Sequence, residues 1–212
     1  MNETNIQFKS YWGETLSNKC IKQNSDVLAV ILPGEGYTND KPLMYYSSKI
    51  SLELGLDVLY VDYGFQILHK NFDINEELDI LVRESEQVLI KCLSENYKKI
   101  IFIGKSLGTI IQNRLSKELR DYEQVHVYLT PVNETVKYMV NYPCLVVTGK
   151  DDGKINSLNM NALENRKNIK LVQIDEGNHS LECLDVLKSI EMLNTIMRTL
   201  KNFLLHIPKS KI

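Results

Sequence analysis

The chain has 212 residues, 43% of them hydrophobic and 25% charged, with a formal net charge of −2. That balance describes an ordinary soluble domain with enough apolar residues for a substantial core, and the lack of basic clusters argues against nucleic acid as the main partner. No apolar run approaches bilayer-spanning length, so no membrane partner is expected.

In chain order, the polar start Met1 to Asn5 lacks the basic-then-apolar pattern of a secretory signal, and a cytoplasmic setting is the expectation. Residues 6–24 allow one or two antiparallel edge strands. Val27 to Leu32 is the first strong strand-like run and ends in Pro33-Gly34-Glu35-Gly36. A helix is predicted from Pro42 to Leu54, stopped by Gly55 just past its end. Val58 to Val61 is the next strand. Asn75 opens a long amphipathic helix with Glu76 and Glu77 in its first turn and Leu78, Leu81, Val82, Val88, Leu89, Cys92 and Leu93 on one face. A strand at 100–103 leads into a helix from Ser106 to about Leu119. Then follow a strand at Val125 to Leu129, a short helix at Asn133 to Met139 and a strand at Leu145 to Thr148. A helix near Ser157 to Arg166, a strand at Lys170 to Ile174 and a final helix from about Leu181 to Leu205 complete the chain.

Strands alternating with helices at this spacing predict one α/β domain over residues 1–212, with a mainly parallel sheet and helices on both faces. The segments 131–144 and 156–166 are too short to hold a lid domain. The four cysteines, Cys20, Cys92, Cys144 and Cys183, are scattered without pairing or metal-ligand spacing. Cys92 falls on a helix's apolar face and Cys144 heads an apolar strand, so both read as buried thiols.

The most informative stretch is Ile100-Ile101-Phe102-Ile103-Gly104-Lys105-Ser106-Leu107-Gly108. An apolar β-branched strand enters a turn with glycines two residues before and two after a serine, and a helix follows at once. Such a turn holds a seryl hydroxyl at the mouth of a sheet, with the first helical N–H groups facing an incoming oxyanion. A phosphate-binding loop would need glycine at position 99, where Lys99 stands, and residues 100–103 are strand rather than loop.

A seryl hydroxyl needs a base, and the base a carboxylate to fix its tautomer. His126 lies inside a strand, His206 near the end of the last helix, and His69 in a loop with no placing signal. His179 stands between the last strand and the last helix, in a loop that overhangs the crevice at the strand ends. For the acid, the strand at 145–148 runs into Gly149-Lys150-Asp151-Asp152, offering two aspartates; Asp62 is a weaker third.

The order Ser106, aspartate, His179 on alternating strands and helices resembles the α/β-hydrolase fold in its small, lidless form. Gly177-Asn178-His179-Ser180-Leu181 is similar to the histidine loop of dienelactone-hydrolase-like proteins. The resemblance covers residues 25–205 and implies Asp152 as the acid, three residues after Gly149. It also implies an oxyanion hole made by the N–H groups of Leu107 and of Glu35, in a loop where many relatives carry His-Gly. Gly34, Gly36 and Tyr37 of that loop are substrate-binding candidates, and Tyr45, Tyr46 and Tyr63 weaker ones. The Glu35 carboxylate would repel an oxyanion unless it points away or pairs with Lys105. The implied activity is a serine hydrolase acting on a small acyl ester, thioester or activated amide, with no metal and no organic cofactor. A non-catalytic binding protein on the same fold is the alternative.

Overall fold

The computed structural model describes residues 1–93, 97–136, 139 and 142–207. Eight strands form one sheet: β1 (Asn2–Lys9), β2 (Thr15–Lys22), β3 (Val27–Leu32), β4 (Asp57–Tyr60), β5 (Lys99–Lys105), β6 (Glu123–Leu129), β7 (Cys144–Gly149) and β8 (Ile169–Ile174). Their spatial order is β1-β2-β4-β3-β5-β6-β7-β8. β1 and β2 pair antiparallel, β2 pairs antiparallel with β4, and every other neighbouring pair is parallel. The antiparallel edge anticipated over residues 6–24 is therefore present, as a hairpin beginning at Asn2.

Among the described residues seven helices accompany the sheet: α1 (Pro42–Glu53), α2 (Gly64–Ile67), α3 (Ile74–Cys92), α4 (Leu107–Glu118), α5 (Asn133–Val136), α6 (Ser157–Glu164) and α7 (Val186–Leu205). The parallel strands read as continuous apolar runs because both of their faces are covered. On β3, Leu28, Val30 and Leu32 pack with Leu81, Val88 and Leu89 of α3 and Leu107, Ile111 and Leu115 of α4. The alternate residues Ala29 and Ile31 face Leu43, Met44 and Ile50 of α1 and Ile196, Leu200 and Leu204 of α7. A third cluster sets Tyr128 and Val146 against Val136, Ile155 and Leu163. Burying each such side chain contributes roughly 1.5–3 kcal/mol.

Element ends differ from the sequence reading where local chemistry outweighs periodicity. The last helix begins at Val186 rather than near Leu181, because Asp185 caps it by accepting the Lys188 N–H at 3.0 Å and Leu181 is left-handed at φ 59°. Asp73 caps α3 in the same way through the Asn75 N–H at 2.9 Å. The helix expected over Asn133 to Met139 ends at Val136; residues 137–138 lie outside the described residues, and Met139 is not helical. The one-turn helix α2 has no counterpart in the sequence reading. No helix among the described residues is long and apolar enough to cross a membrane.

Chain direction across the sheet reverses at β3. β4 lies on one side of it and β5, next after β4 in the chain, on the other. The loops leaving β3 and β5 part there, and a crevice opens beyond their C-terminal ends. The β1–β2 hairpin turn braces one wall of it. Glu84 of α3 accepts from Tyr11 N–H at 2.5 Å and Ser10 Oγ at 3.1 Å, while Gly64 of α2 fits beneath Trp12 and Ser10.

Gly108 is the tightest join between helix and sheet at this crevice. A Cβ there would overlap the Leu32 carbonyl and sit 2.6 Å from the Pro33 oxygen. Backbone cannot yield as a flexible side chain can. Gly108→Ala is therefore expected to lower stability by about 1–3 kcal/mol, the scale of core overpacking. Urea unfolding of wild type and variant checks this, and an unchanged midpoint would show that α4 can retreat freely.

Candidate active site

Ser106 closes β5 and precedes α4 with φ 49° and ψ −114°, a conformation that costs a non-glycine residue about 1–3 kcal/mol. The surroundings hold it there. Its N–H donates to Leu129 O at 3.1 Å, and its carbonyl accepts the Thr109 N–H at 2.9 Å. A Cβ on Gly104 would lie 2.7 Å from the Gly108 oxygen, so side chains at either flanking glycine are excluded. Ser106 itself stays partly open to solvent. The Leu107 N–H is among the orphan amides of the first turn of α4.

His179 reaches Ser106 from the loop after β8, with Nε2 2.9 Å from Ser106 Oγ and Nδ1 2.9 Å from Asp152 Oδ2. With Nδ1–H donated to the carboxylate, Nε2 is free to accept the seryl proton. The Asp152 side chain is fully buried, and its Oδ1 accepts the Lys154 N–H at 3.0 Å. Burial alone would raise its carboxyl. The hydrogen bonds from His179 and Lys154, with the nearby charges of His179 and Lys105, outweigh that and hold it below the usual carboxylate range. Of the two adjacent aspartates, only Asp152 meets His179; Asp151 is exposed and its N–H donates to Gly177 O at 3.0 Å. Asp62 accepts from Asn39 Nδ2 at 2.8 Å at the end of β4, and burial raises its carboxyl.

The other histidines stand elsewhere. His126 is buried in β6, stacked on Phe102 and Tyr128, and burial pushes it down to about 3. His206 at the end of α7 bonds Asn202 O, and His69 lies exposed in a left-handed turn. Among the described residues no group of three or more His, Cys, Asp or Glu side chains is arranged to hold a metal ion.

The loop after β3 forms a tight turn, with Gly34 and Tyr37 exchanging N–H and C=O bonds at 3.0 and 3.4 Å. A Cβ on Gly34 would touch Ser106 Cβ at 3.4 Å, so this loop lies directly against the serine. Glu35 and Gly36 are exposed. Among the described residues Glu35 forms no ion pair with Lys105, whose Nζ donates to His179 O instead. Tyr37 is buried, and its hydroxyl accepts the Leu43 N–H at 3.1 Å. Tyr63 is also buried and donates to Pro33 O, a bracing position rather than a pocket wall. Tyr45 and Tyr46 are exposed and packed edge to face on α1. Beside Tyr37 and Ser180 runs a groove of about 320 Å³ lined also by Leu43, Leu181, Val186 and Ile190.

Lys105 was read from sequence only as a counter-charge for Glu35. It is 2% exposed, and its Nζ donates to His179 O at 3.1 Å and lies 4.6 Å above the Tyr37 ring. One buried ammonium thus ties together the serine, oxyanion and histidine loops. The signal for it was a long cation beside the serine in an otherwise apolar strand.

These features together define the α/β-hydrolase fold in its small form, without a lid. No family model and no curated protein matches the sequence. Solved structures do match in shape. XC6422 of Xanthomonas campestris, described as an α/β serine hydrolase without a lid, superposes with a TM-score of 0.73 at 14% identity, over 100% of this chain and 98% of its own. The Pyrococcus furiosus esterase Pf2001 gives 0.71 at 16% identity over 96% and 92%. Est1E of Butyrivibrio proteoclasticus, with ferulic acid bound, gives 0.67 at 14% identity over 89% and 94%.

Burial pulls the Lys105 ammonium down to about 8 from its ordinary value of 10.5, against the pull of Asp152 and Glu182. Between those pH values the unfolded chain binds more protons than the folded one, so stability rises with pH across that window. Below it the buried charge costs roughly 3 kcal/mol relative to an ordinary lysine. Lys105→Met is therefore expected to melt at or above the wild-type temperature at pH 7, with the difference shrinking towards pH 10. A variant that melts well below wild type at pH 7 would show the charge to be net stabilising.

Proposed function

We propose that the protein is a serine hydrolase that cleaves a small acyl ester, thioester or activated amide. The observation that carries this reading is the unbroken line Asp152 Oδ2, His179 Nδ1, His179 Nε2, Ser106 Oγ, with 2.9 Å at both hydrogen bonds, ending on a strained serine at the crevice. The similarity of fold to serine hydrolases and esterases supports it.

In this reading Ser106 Oγ attacks the acyl carbonyl as His179 Nε2 takes its proton, and Asp152 stabilises the imidazolium without being protonated. The oxyanion of the tetrahedral intermediate accepts from the N–H groups of Leu107 and Glu35. His179 then protonates the leaving alcohol, thiol or amine, and the acyl group stays on Ser106. A water deprotonated by His179 attacks that ester, and collapse returns the proton to Ser106 and frees the acid. Gly34 lets the oxyanion loop lie against Ser106, exposed Gly36 leaves the turn open to substrate, and Tyr37 borders the apolar groove where part of the substrate lies. No step calls for a metal or an organic cofactor.

Labelling with a fluorophosphonate probe tests the reading. Wild type is expected to be labelled, and Ser106→Ala not at all. His179→Ala should slow labelling and short-ester hydrolysis by at least about 10³-fold. Asp152→Asn should slow ester hydrolysis by a factor on the order of 10⁴, whereas Asp151→Asn should leave it within about twofold. A folded wild type that resists the probe would overturn the hydrolase reading.

A further inference from the structure

Three consecutive carbonyls of the loop after β3 are each held by a side chain from the start of α2. Tyr63 Oη donates to Pro33 O at 3.0 Å. Gln66 Nε2 donates to both Gly34 O and Glu35 O, at 2.6 Å each, so both of its N–H groups are engaged. The N–H of Glu35, by contrast, donates to no partner among the described residues.

The geometry of the peptide unit links these facts. In a planar trans peptide the C=O and the following N–H point in opposite directions. A donor on Gly34 O therefore constrains the direction of the Glu35 N–H; the turn's own Tyr37 N–H supplies one such bond at 3.4 Å, and Gln66 adds the shorter one at 2.6 Å. Gln66 approaches from α2, and Ser106 lies against Gly34. With Gly36 in the turn's third position, the neighbouring Glu35–Gly36 peptide can turn over at little steric cost. The second bond of Gln66, to Glu35 O, opposes that rotation.

We propose that Gln66 is a positioning residue that aims the Glu35 N–H at the oxyanion formed on Ser106; this rests on the hydrolase reading above. Gln66 touches no reacting atom. Its contribution is to spare the enzyme the ordering of a flexible turn at the moment charge develops.

The test compares wild type with Gln66→Leu, which is one bond shorter and has no donor, and Gln66→Glu, which keeps the shape but only accepts when ionised. Hydrolysis of a short p-nitrophenyl ester is read alongside fluorophosphonate labelling and thermal unfolding. The expected result is kcat about 10-fold lower for Gln66→Leu with KM within about twofold, short of the roughly 10²–10³-fold cost of losing an oxyanion donor outright. Gln66→Glu should lose as much at pH 7, and its activity relative to wild type should recover as the pH falls, because the two facing carbonyl oxygens favour the protonated carboxyl, which regains one donor. A folded Gln66→Leu with kcat within twofold of wild type overturns the assignment while leaving the hydrolase reading intact. So does a Gln66→Glu ratio that stays flat with pH, which would mark general loosening of the loop. A wild type that neither reacts with the probe nor turns over ester overturns both.

Discussion

The crevice exists because backbone meets backbone at Gly108. With no side chain there, α4 can lie against the carbonyls of Leu32 and Pro33, at the end of the neighbouring strand. That contact sets the separation between the serine turn and the loop after β3, so that Gly34 comes to rest against Ser106. It also fixes where the first turn of α4 presents its free amides. A larger residue would push helix and loop apart. Close packing without a Cβ is the geometric requirement that the serine turn and the loop share.

The second constraint is electrostatic. A buried lysine beside Ser106 works against stability, and the three groups around it show what is gained in return. Its ammonium satisfies the His179 carbonyl, rests on the Tyr37 ring and faces the Asp152 carboxylate. His179 sits on a loop bordered by the left-handed residues Glu176 and Leu181, a segment with little regular structure of its own. An anchor from the rigid centre of the sheet is worth more there than on a helix. The same residue therefore lowers the stability of the fold and raises the order of the site, a trade familiar where function needs preorganisation.

Much of the fold was legible because parallel strands covered on both sides cannot hide. Ile100 to Ile103 and Leu145 to Val147 are apolar at every position, and the glycines and polar residues after them mark the strand ends. Ser106 and His179 stood out for a related reason: each stands between an apolar strand and the helix after it, at the edge where loops converge. Other features left no such trace. Asp151 and Asp152 are neighbours with identical side chains that only the family resemblance separates, in favour of Asp152; the turn that donates the Lys154 N–H to Asp152 accompanies its burial. Leu181 looked like the start of the last helix because apolar spacing does not record a left-handed residue. Gln66 lies on a single turn without periodicity, and its partners are 32 and 31 residues away in the chain. Lys105 reads as a surface cation until the Tyr37 ring and the histidine loop are folded over it.

The acid and histidine loops are registered to each other before either side chain is considered. A Cβ on Gly149 would overlap the Gly177 carbonyl, so the two loops touch at that point. The Lys150 N–H donates to Ile174 O at 2.9 Å and the Asp151 N–H to Gly177 O at 3.0 Å, extending the β7–β8 ladder beyond both strands. Asp152 follows one residue after this extension and His179 two residues after Gly177. Their hydrogen bond is therefore set by main-chain pairing, with little left for side-chain rotamers to decide. Ser106 is fixed independently, through β5 and its bond to Leu129 of β6. Lys105 bridges these two bodies, its Nζ donating to the His179 carbonyl at 3.1 Å from the strand that carries Ser106.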